Sequence, residues 1–266
     1  MKKLILVAAV CMFALACSSK DESFTFVQMS DPQIGFPDDP DSTGIESSKW
    51  FHKAISEVNA IKPAIVIITG DLVNHIDDTT QIQAYNRQID SLDKDIKLIT
   101  LPGNHDMRPY TPQTRESFLR RNGYERYSYT YGNCAFIGID SNCIKEGADS
   151  LEKEQWDWLE KELKKAKKCN HRFLFVHCPV VREDIDEVED YFNFPKDKRQ
   201  LYIDLCNKYK VDAFFSGHTH KAHSAKFGYT EFINAGAVGF PLDGGVRGYN
   251  VIKVTPDSYS RQWVEL

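Results

Sequence analysis

The chain has 266 residues, 42% of them hydrophobic and 27% charged, with a formal net charge of −5. That balance fits one α/β domain with a sizeable core, uninterrupted by repeats or low-complexity segments, and a modestly acidic chain carries no broad electrostatic footprint for nucleic acid. Of the seven cysteines, Cys11 and Cys17 lie near the amino terminus, and the odd remainder without paired spacing argues against a disulfide framework.

The amino terminus stands apart from the rest. Lys2 and Lys3 precede thirteen apolar residues, 4–16, a length that suits a secretory h-region and is short for a membrane span; a buried amino-terminal helix is the other reading. Leu15-Ala16-Cys17 resembles a bacterial lipobox, with Ala14 at the position where leucine is usual. The expectation is therefore a signal peptide over 1–16, a lipidated Cys17 with a polar tether over 17–23, and a catalytic domain over 24–266 anchored to a membrane, periplasmic or on the outer-membrane surface. Lys20-Asp21-Glu22 is similar to the surface-export signature of some Gram-negative lipoproteins. Loss of Lys2 and Lys3 takes the net charge from −5 to −7.

From residue 24 onward, apolar runs alternate with helical patterns. Strands are expected at 24–29, 65–69, 97–101, 135–139, 172–176 and 211–215, and helices at 46–59, 79–93, 114–121 and 197–208. A further helix around Trp156, Leu159, Leu163 and Ala166 has its apolar stripe at 3-4-3 spacing, which makes Lys161, Lys164, Lys165, Lys167 and Lys168 a solvated face. The end of the chain is mostly β, and the strands expected at 135–139, 230–233, 249–254 and 259–264 suggest a second sheet packed on the first.

Five of the runs end in residues that bind metals: Asp31-Pro32-Gln33, Gly70-Asp71, Gly103-Asn104-His105-Asp106, His177, and Gly217-His218-Thr219-His220. Imidazoles, carboxylates and amide oxygens suit divalent Zn, Fe, Mn or Mg, and no cysteine belongs to the set. In open α/β sheets ligands gather at the carboxyl ends of strands, so one sheet edge is expected to carry all of these segments. Asp71, emerging from a β-branched run through Gly70, is placed to supply the anionic bridge that a cation pair needs. Each segment alone also reads as a polar turn, and His177 alone as a core histidine; their joint occurrence in order is what points to one site. His218 and His220, two apart in an extended segment, point to opposite sides, so each can serve a different metal or one can support the other.

This order of blocks resembles the calcineurin-like metallophosphoesterases, over essentially the whole of 24–266. The departure is Gln33, where that family usually has histidine. Asp31-Pro32-Gln33 and the acidic stretch 184–193 are similar to a narrower branch, the calcineurin-like phosphoesterase domain-containing protein serine/threonine phosphatases. The resemblance implies a two-sheet β-sandwich flanked by helices. It implies one metal held by Asp31, Asp71, His220 and Gln33, and another by Asp71, Asn104, His177 and His218. It further implies that His105, with Asn104, contacts the phosphate and either protonates the leaving alkoxide or stabilises developing charge, that Asp106 orients His105, and that a hydroxide shared by two divalent metals (Mn, Fe, Zn or Mg) attacks phosphorus in line. Gln33 has two readings, a weak direct ligand that favours Mn or Mg, or a hydrogen-bond partner of a metal-bound water.

Selectivity belongs to the loops, and three are candidates: 37–43 and 181–194, both acidic, and the glycine-rich 236–248. Arg247 in the last either binds a substrate phosphate or carboxylate or forms a surface ion pair. The functional expectation is a phosphomonoesterase acting on a phosphorylated substrate, with a phosphodiesterase as the runner-up and a binding protein with a degenerate site as the third.

Overall fold

β-branched and aromatic runs build two sheets, and the chain crosses between them twice. The computed structural model describes residues 23–36 and 45–266, so the signal segment, Cys17, nearly all of the tether and the loop 37–43 lie outside the described residues. The first sheet contains β1 (Phe24–Met29), β2 (Ile65–Ile68), β3 (Lys97–Thr100), β10 (Gly248–Val254) and β11 (Tyr259–Glu265), in the order β11-β10-β1-β2-β3. β1, β2 and β3 are parallel, whereas β10 returns antiparallel to β1. The second sheet contains β4 (Tyr127–Tyr131), β5 (Cys134–Gly138), β6 (His171–Phe175), β7 (Ala213–Ser216), β8 (His223–Phe227) and β9 (Thr230–Asn234), in the order β4-β5-β6-β7-β9-β8, with β5, β6, β7 and β9 parallel.

Of the four strands expected in a second sheet, β5 and β9 lie there, and the expectation is corrected for the last two. β10 and β11 complete the first sheet, because the alternating apolar residues of β10 face both the interior and helix α1 (Ile45–Ile61). The parallel strands that follow β5 need the crossover helices α5 (Asp149–Ala166) and α6 (Lys196–Tyr209), and these fix β6 and β7 in the second sheet. The edge strands β4 and β8 were not expected from sequence.

Alternation sets the layers. Phe26 on β1 points between the sheets, where its ring lies 5.2 Å from Phe136, 5.1 Å from Phe173 and 5.9 Å from Phe215, all on the second sheet. Its neighbours Val27 and Met29 point the other way and pack with Phe51, Ile55 and Val58 of α1 (Ile45–Ile61) and with Tyr85 of α2 (Thr79–Asp90). On the far face, Leu159 and Leu163 of α5 and Tyr202 and Cys206 of α6 cover Ile137, Leu174 and Phe214. Each buried phenylalanine contributes about 2 kcal/mol by transfer from water, so the inter-sheet aromatic layer is the main clamp between the halves. Truncating Phe26 to alanine is expected to cost about 3–5 kcal/mol.

One polar crosslink sits within that layer. Buried Gln28 donates from Nε2 to Thr69 Oγ1 (3.0 Å) on its own sheet and to the Ser216 carbonyl (3.1 Å) on the other, and it accepts from Asn250 Nδ2 (2.8 Å). Its three partners leave none of its buried amide groups unsatisfied, and it fixes the carboxyl ends of β1 and β7 against each other. The five cysteines among the described residues are free and buried. The basic face of α5 is solvent-side, with Lys164 and Lys165 in ion pairs to Glu160 and Glu162. No described helix is long and apolar enough to cross a membrane.

Candidate metal centre

Residues at the carboxyl ends of five strands converge, three from the first sheet and two from the second. Asp31 follows β1, Asp71 follows β2 and Asn104 follows β3, while His177 follows β6 and the His218–His220 segment follows β7. The centre therefore straddles the seam between the sheets rather than lying along one edge as the sequence led us to expect. Main-chain bonds hold the loops together within each sheet: Asp31 N–H donates to Gly70 O (3.1 Å) and Gln33 N–H to Asp71 O (2.7 Å) in the first, and Gly217 N–H to His177 O (2.9 Å) in the second. His218 N–H donates to Asp31 Oδ2 across the sheets (2.9 Å).

Backbone strain concentrates here. Eight described non-glycine residues have positive φ, and five of them are Asp31 (53°), Gln33 (36°), Asp71 (50°), His218 (72°) and His220 (55°). Each such residue costs on the order of 1–3 kcal/mol and persists because its surroundings over-determine it. Glycine is required at two close approaches: a Cβ on Gly103 would collide with the Asp71 carboxylate, and one on Gly217 with Ser30 and Asp31.

The donor atoms form two groups that share Asp71. His177 Nε2 lies 3.4 Å from Asp71 Oδ2, 3.1 Å from Asn104 Oδ1 and 3.1 Å from His218 Nδ1. His220 Nε2 lies 3.4 Å from Asp31 Oδ1. One ligand atom each from Asp71, His177 and His218, and likewise from Asp31, Asp71 and His220, lie within 4.8 Å of one another, so each group could hold a cation. Buried Asp31 Oδ1 and Gln33 Oε1 accept no hydrogen bond. Carboxylate and amide oxygens kept dry and unpaired, beside imidazoles, are what a bound divalent cation would satisfy. Gln33 is held by its other end, where Nε2 donates to Asn74 Oδ1 (2.9 Å), which leaves Oε1 as the available donor atom.

The outer nitrogens of the histidines obey one rule. His177 Nδ1 is 2.7 Å from Thr69 O, His218 Nε2 is 2.9 Å from Tyr191 O, and His220 Nδ1 bonds to Phe240 O. A carbonyl only accepts, so each of these outer nitrogens carries a hydrogen and the opposite one is directed inward, where it offers a lone pair whenever the ring is neutral. Burial, aided by the charge of His177, holds His218 down to about 4, a neutral ring ready to ligate. Burial pushes Asp71 upward, but the facing imidazoles of His177, His105 and His218 bring its carboxyl below the usual range. Burial likewise opposes charge on His177, and the Asp71 carboxylate outweighs it, raising the ring to about 9.

His105 stands beside the donors. Its backbone N–H donates to Asp71 Oδ1 (2.9 Å), and its Nδ1 donates to the main-chain carbonyl of Asn74 (2.9 Å). This corrects the role expected of Asp106. The buried Asp106 carboxylate accepts from the N–H groups of Leu72 (3.0 and 3.1 Å), Val73 (3.3 Å) and Gly103 (2.8 Å), so it ties the Asp71 loop to the Asn104 loop rather than orienting the imidazole. Burial and the neighbouring Asp71 charge push Asp106 up to about 7 against the pull of those N–H donors. Asn74, which sequence reasoning missed, holds both Gln33 and His105. The hold on His105 is through the main chain, which leaves no mark on residue type.

A cavity of about 360 Å³ opens at His105 and is lined by Asn74, His75, Ile76, Asp77 and Arg108. Arg247 is engaged elsewhere, in an ion pair with Glu46 (2.7 Å), a bond to Gly239 O (3.0 Å) and a stack on Trp50 (4.7 Å). Of its two readings, the geometry supplies the ion pair. The glycine-rich loop acts as a brace, with Val238 and Gly239 N–H bonded to Ser30 and Asp31 carbonyls. The acidic loop 181–194 does approach the donors: Asn104 Nδ2 donates to Tyr191 Oη (2.6 Å), and the Tyr191 and Phe192 rings lie 4.7 and 5.5 Å from that of His218.

Residues 24–222 match the family model described as calcineurin-like phosphoesterase. The chain is similar to serine/threonine-protein phosphatase CPPED1 of Rattus norvegicus, at 29% identity over 91% of this chain and 84% of that one. It is also similar to a probable cyclic nucleotide phosphodiesterase of Vesicomyosocius okutanii, at 26% identity over 77% and 82%. Among solved structures, a dimetal phosphatase from Danio rerio shares the fold with a TM-score of 0.70, at 14% identity over 91% of this chain and 96% of that one.

Proposed function

The chain belongs to the calcineurin-like phosphoesterase family, and from that premise we propose that this hydrolase cleaves phosphomonoesters, on phosphorylated serine or threonine of proteins or on small molecules, with two divalent cations in the centre described above. The observation that carries the reading is Asp71, shared by two donor groups beside buried oxygens on Asp31 and Gln33 that accept nothing. One cation would be held by Asp71, His177 and His218 with Asn104, and the other by Asp31, Asp71 and His220 with Gln33 Oε1. An amide oxygen in place of imidazole favours Mn or Mg at the second of these. When bound, the cations supply an acidified water and neutralise the phosphoryl oxygens.

The chain's own residues do the rest. The Asn74 carbonyl accepts a hydrogen bond from His105 Nδ1–H and so orients the ring, whose imidazolium form gives its Nε2 proton to the departing alkoxide as the ester P–O bond breaks and is left as the neutral Nδ1–H imidazole. The Asp71 carboxylate, by accepting the His105 N–H, couples the position of that acid to the centre itself. Asp106 keeps the two loops in register, and the αL geometry of five residues presets the donors before any ligand arrives.

A diesterase reading has one observation in its favour, the likeness to the probable cyclic nucleotide phosphodiesterase. The test is hydrolysis of an aryl phosphomonoester and the matching diester by metal-stripped protein reconstituted with Mn, Zn, Fe or Mg. Preference for the monoester supports the first reading and preference for the diester the second. No turnover with any cation leaves a binding role. We further propose attachment to a membrane through a lipid on Cys17; mass spectrometry of the membrane fraction tests it, and an unmodified amino terminus starting elsewhere than Cys17 would rule it out.

A further inference from the structure

The acidic loop after His177 is built around a buried cation. Arg199 of α6 is fully buried and donates from Nε to Phe194 O (2.9 Å) and from Nη1 to Ile185 O (2.9 Å) and Glu187 O (2.6 Å). Asn193, also buried, donates to Glu187 Oε1 and Val188 O (both 2.8 Å). Lys145 reaches over to the carbonyls of Asp190 and Asn193. A surface loop with no task does not need a buried guanidinium to fix its main chain.

What this scaffold presents is Tyr191. Its carbonyl accepts from His218 Nε2, its ring packs on His218, and its hydroxyl accepts from Asn104 Nδ2, yet the residue stays 49% exposed. Asn104 contributes its other amide atom, Oδ1, to the donor group at His177 Nε2. A phenol has one hydrogen to give, and among the described residues nothing accepts that of Tyr191. The hydroxyl is thus anchored as an acceptor next to the centre with its donor function unused.

We propose that Tyr191 is a substrate-contacting residue, whose hydroxyl donates to a non-bridging oxygen of the phosphoryl group held beside Asn104. The inference rests on the phosphoester-hydrolase reading and adds to it a contact from outside the metal-binding segments. The ring fixes the hydroxyl at low entropic cost, since a tyrosine stacked on His218 has little rotamer freedom left to lose.

The experiment compares the full chain with Tyr191→Phe and Tyr191→Ala, each loaded with Mn. Three quantities are measured: metal content, kinetics on an aryl phosphomonoester, and affinity for inorganic phosphate by calorimetry. Loss of one hydrogen bond to an anionic oxygen predicts about a ten- to hundredfold fall in kcat/KM and in phosphate affinity for Tyr191→Phe, at unchanged metal content, with Tyr191→Ala at least as impaired. If Tyr191→Phe matches the wild type in both while Tyr191→Ala fails, the cleft uses only the ring and the proposal is overturned. If Tyr191→Phe loses metal, the residue positions Asn104 instead, and the proposal is equally overturned. Absence of turnover in the wild type would sink the hydrolase reading separately, and phosphate affinity would still decide: weaker in Tyr191→Phe supports the contact, unchanged affinity overturns it.

Discussion

Strands β6 and β7 carry a buried histidine facing a buried aspartate at each end of the second sheet, and the two ends have different fates. At the amino ends, His171 Nδ1 lies 3.4 Å from Asp212 Oδ1, and its Nε2 is 3.0 Å from Thr255 O. Asp212 also accepts from Arg172 N–H (2.7 Å) and the Tyr229 hydroxyl (3.0 Å). Every nitrogen and oxygen of that pair has a partner. At the carboxyl ends, His177 Nε2 and His218 Nδ1 both turn inward toward Asp71, next to oxygens of Asp31 and Gln33 that accept no hydrogen bond. A buried His–Asp pair is therefore not in itself a site. The centre differs from the clasp in what is left unsatisfied and in backbone strain, which gathers at one end and not the other.

The largest effect should come from exchanging the two aspartates for their amides. Asp71→Asn is expected to lower metal-dependent hydrolysis about 10³-fold, equivalent to about 4 kcal/mol of barrier, and to abolish the rise in melting temperature on adding Mn. Asp212→Asn should do the reverse, keeping turnover per folded molecule and the Mn-induced rise while losing about 1–3 kcal/mol of stability in urea titration. Equal activity losses in both variants would erase the distinction between the two ends. His105→Ala comes next, with a fall of about 10²–10³-fold at retained Mn stabilisation. The fall should shrink for an ester whose leaving group needs no proton; a uniform loss across leaving groups would remove His105 from that role.

Much of the carboxyl end was legible because its parts obey one grammar, an apolar run followed by a ligand type, as at Ile68 to Asp71 or Phe215 to His218. The sequence misassigned Asp106 because adjacency to His105 stood in for contact, whereas in the fold that carboxylate turns back to the N–H groups of Leu72 and Gly103. Asn74 and Tyr191 were illegible for a different reason. They reach His105 and His218 through main-chain carbonyls, which every residue has. β4 and β8 escaped because each is an edge strand with every second residue exposed, so neither shows the continuous apolar run that marked the central strands. Their hairpin partners β5 and β9 were visible for the opposite reason. Asn74 nonetheless offers a direct test of the Gln33 geometry. Asn74→Ala removes the acceptor that aims Gln33 while keeping the carbonyl that holds His105, so Mn affinity should fall about tenfold with kcat at saturating Mn nearly unchanged. A kcat loss at full occupancy would mean that Asn74 acts on the chemistry instead.

The smallest effect is a pH dependence that separates the ends by sign. The bond to Asp212, ahead of the opposing effect of burial, raises His171 above its ordinary 6.5. The protonated ring donates to Asp212 and Thr255 at once, so its contribution is fully present below pH 6.5 and fades as pH rises through the raised folded value. The stability gap between wild type and His171→Gln, measured by urea titration without metal, should be widest near pH 6 and narrow toward pH 9. A gap that widens with pH would contradict the assignment. The carboxyl end runs the other way, because His177 must shed its proton before it can ligate, so Mn affinity should climb over the same interval. Alkali thus loosens the clasp and fills the centre, and a single pH series on the wild type and His171→Gln, with and without Mn, reads both slopes.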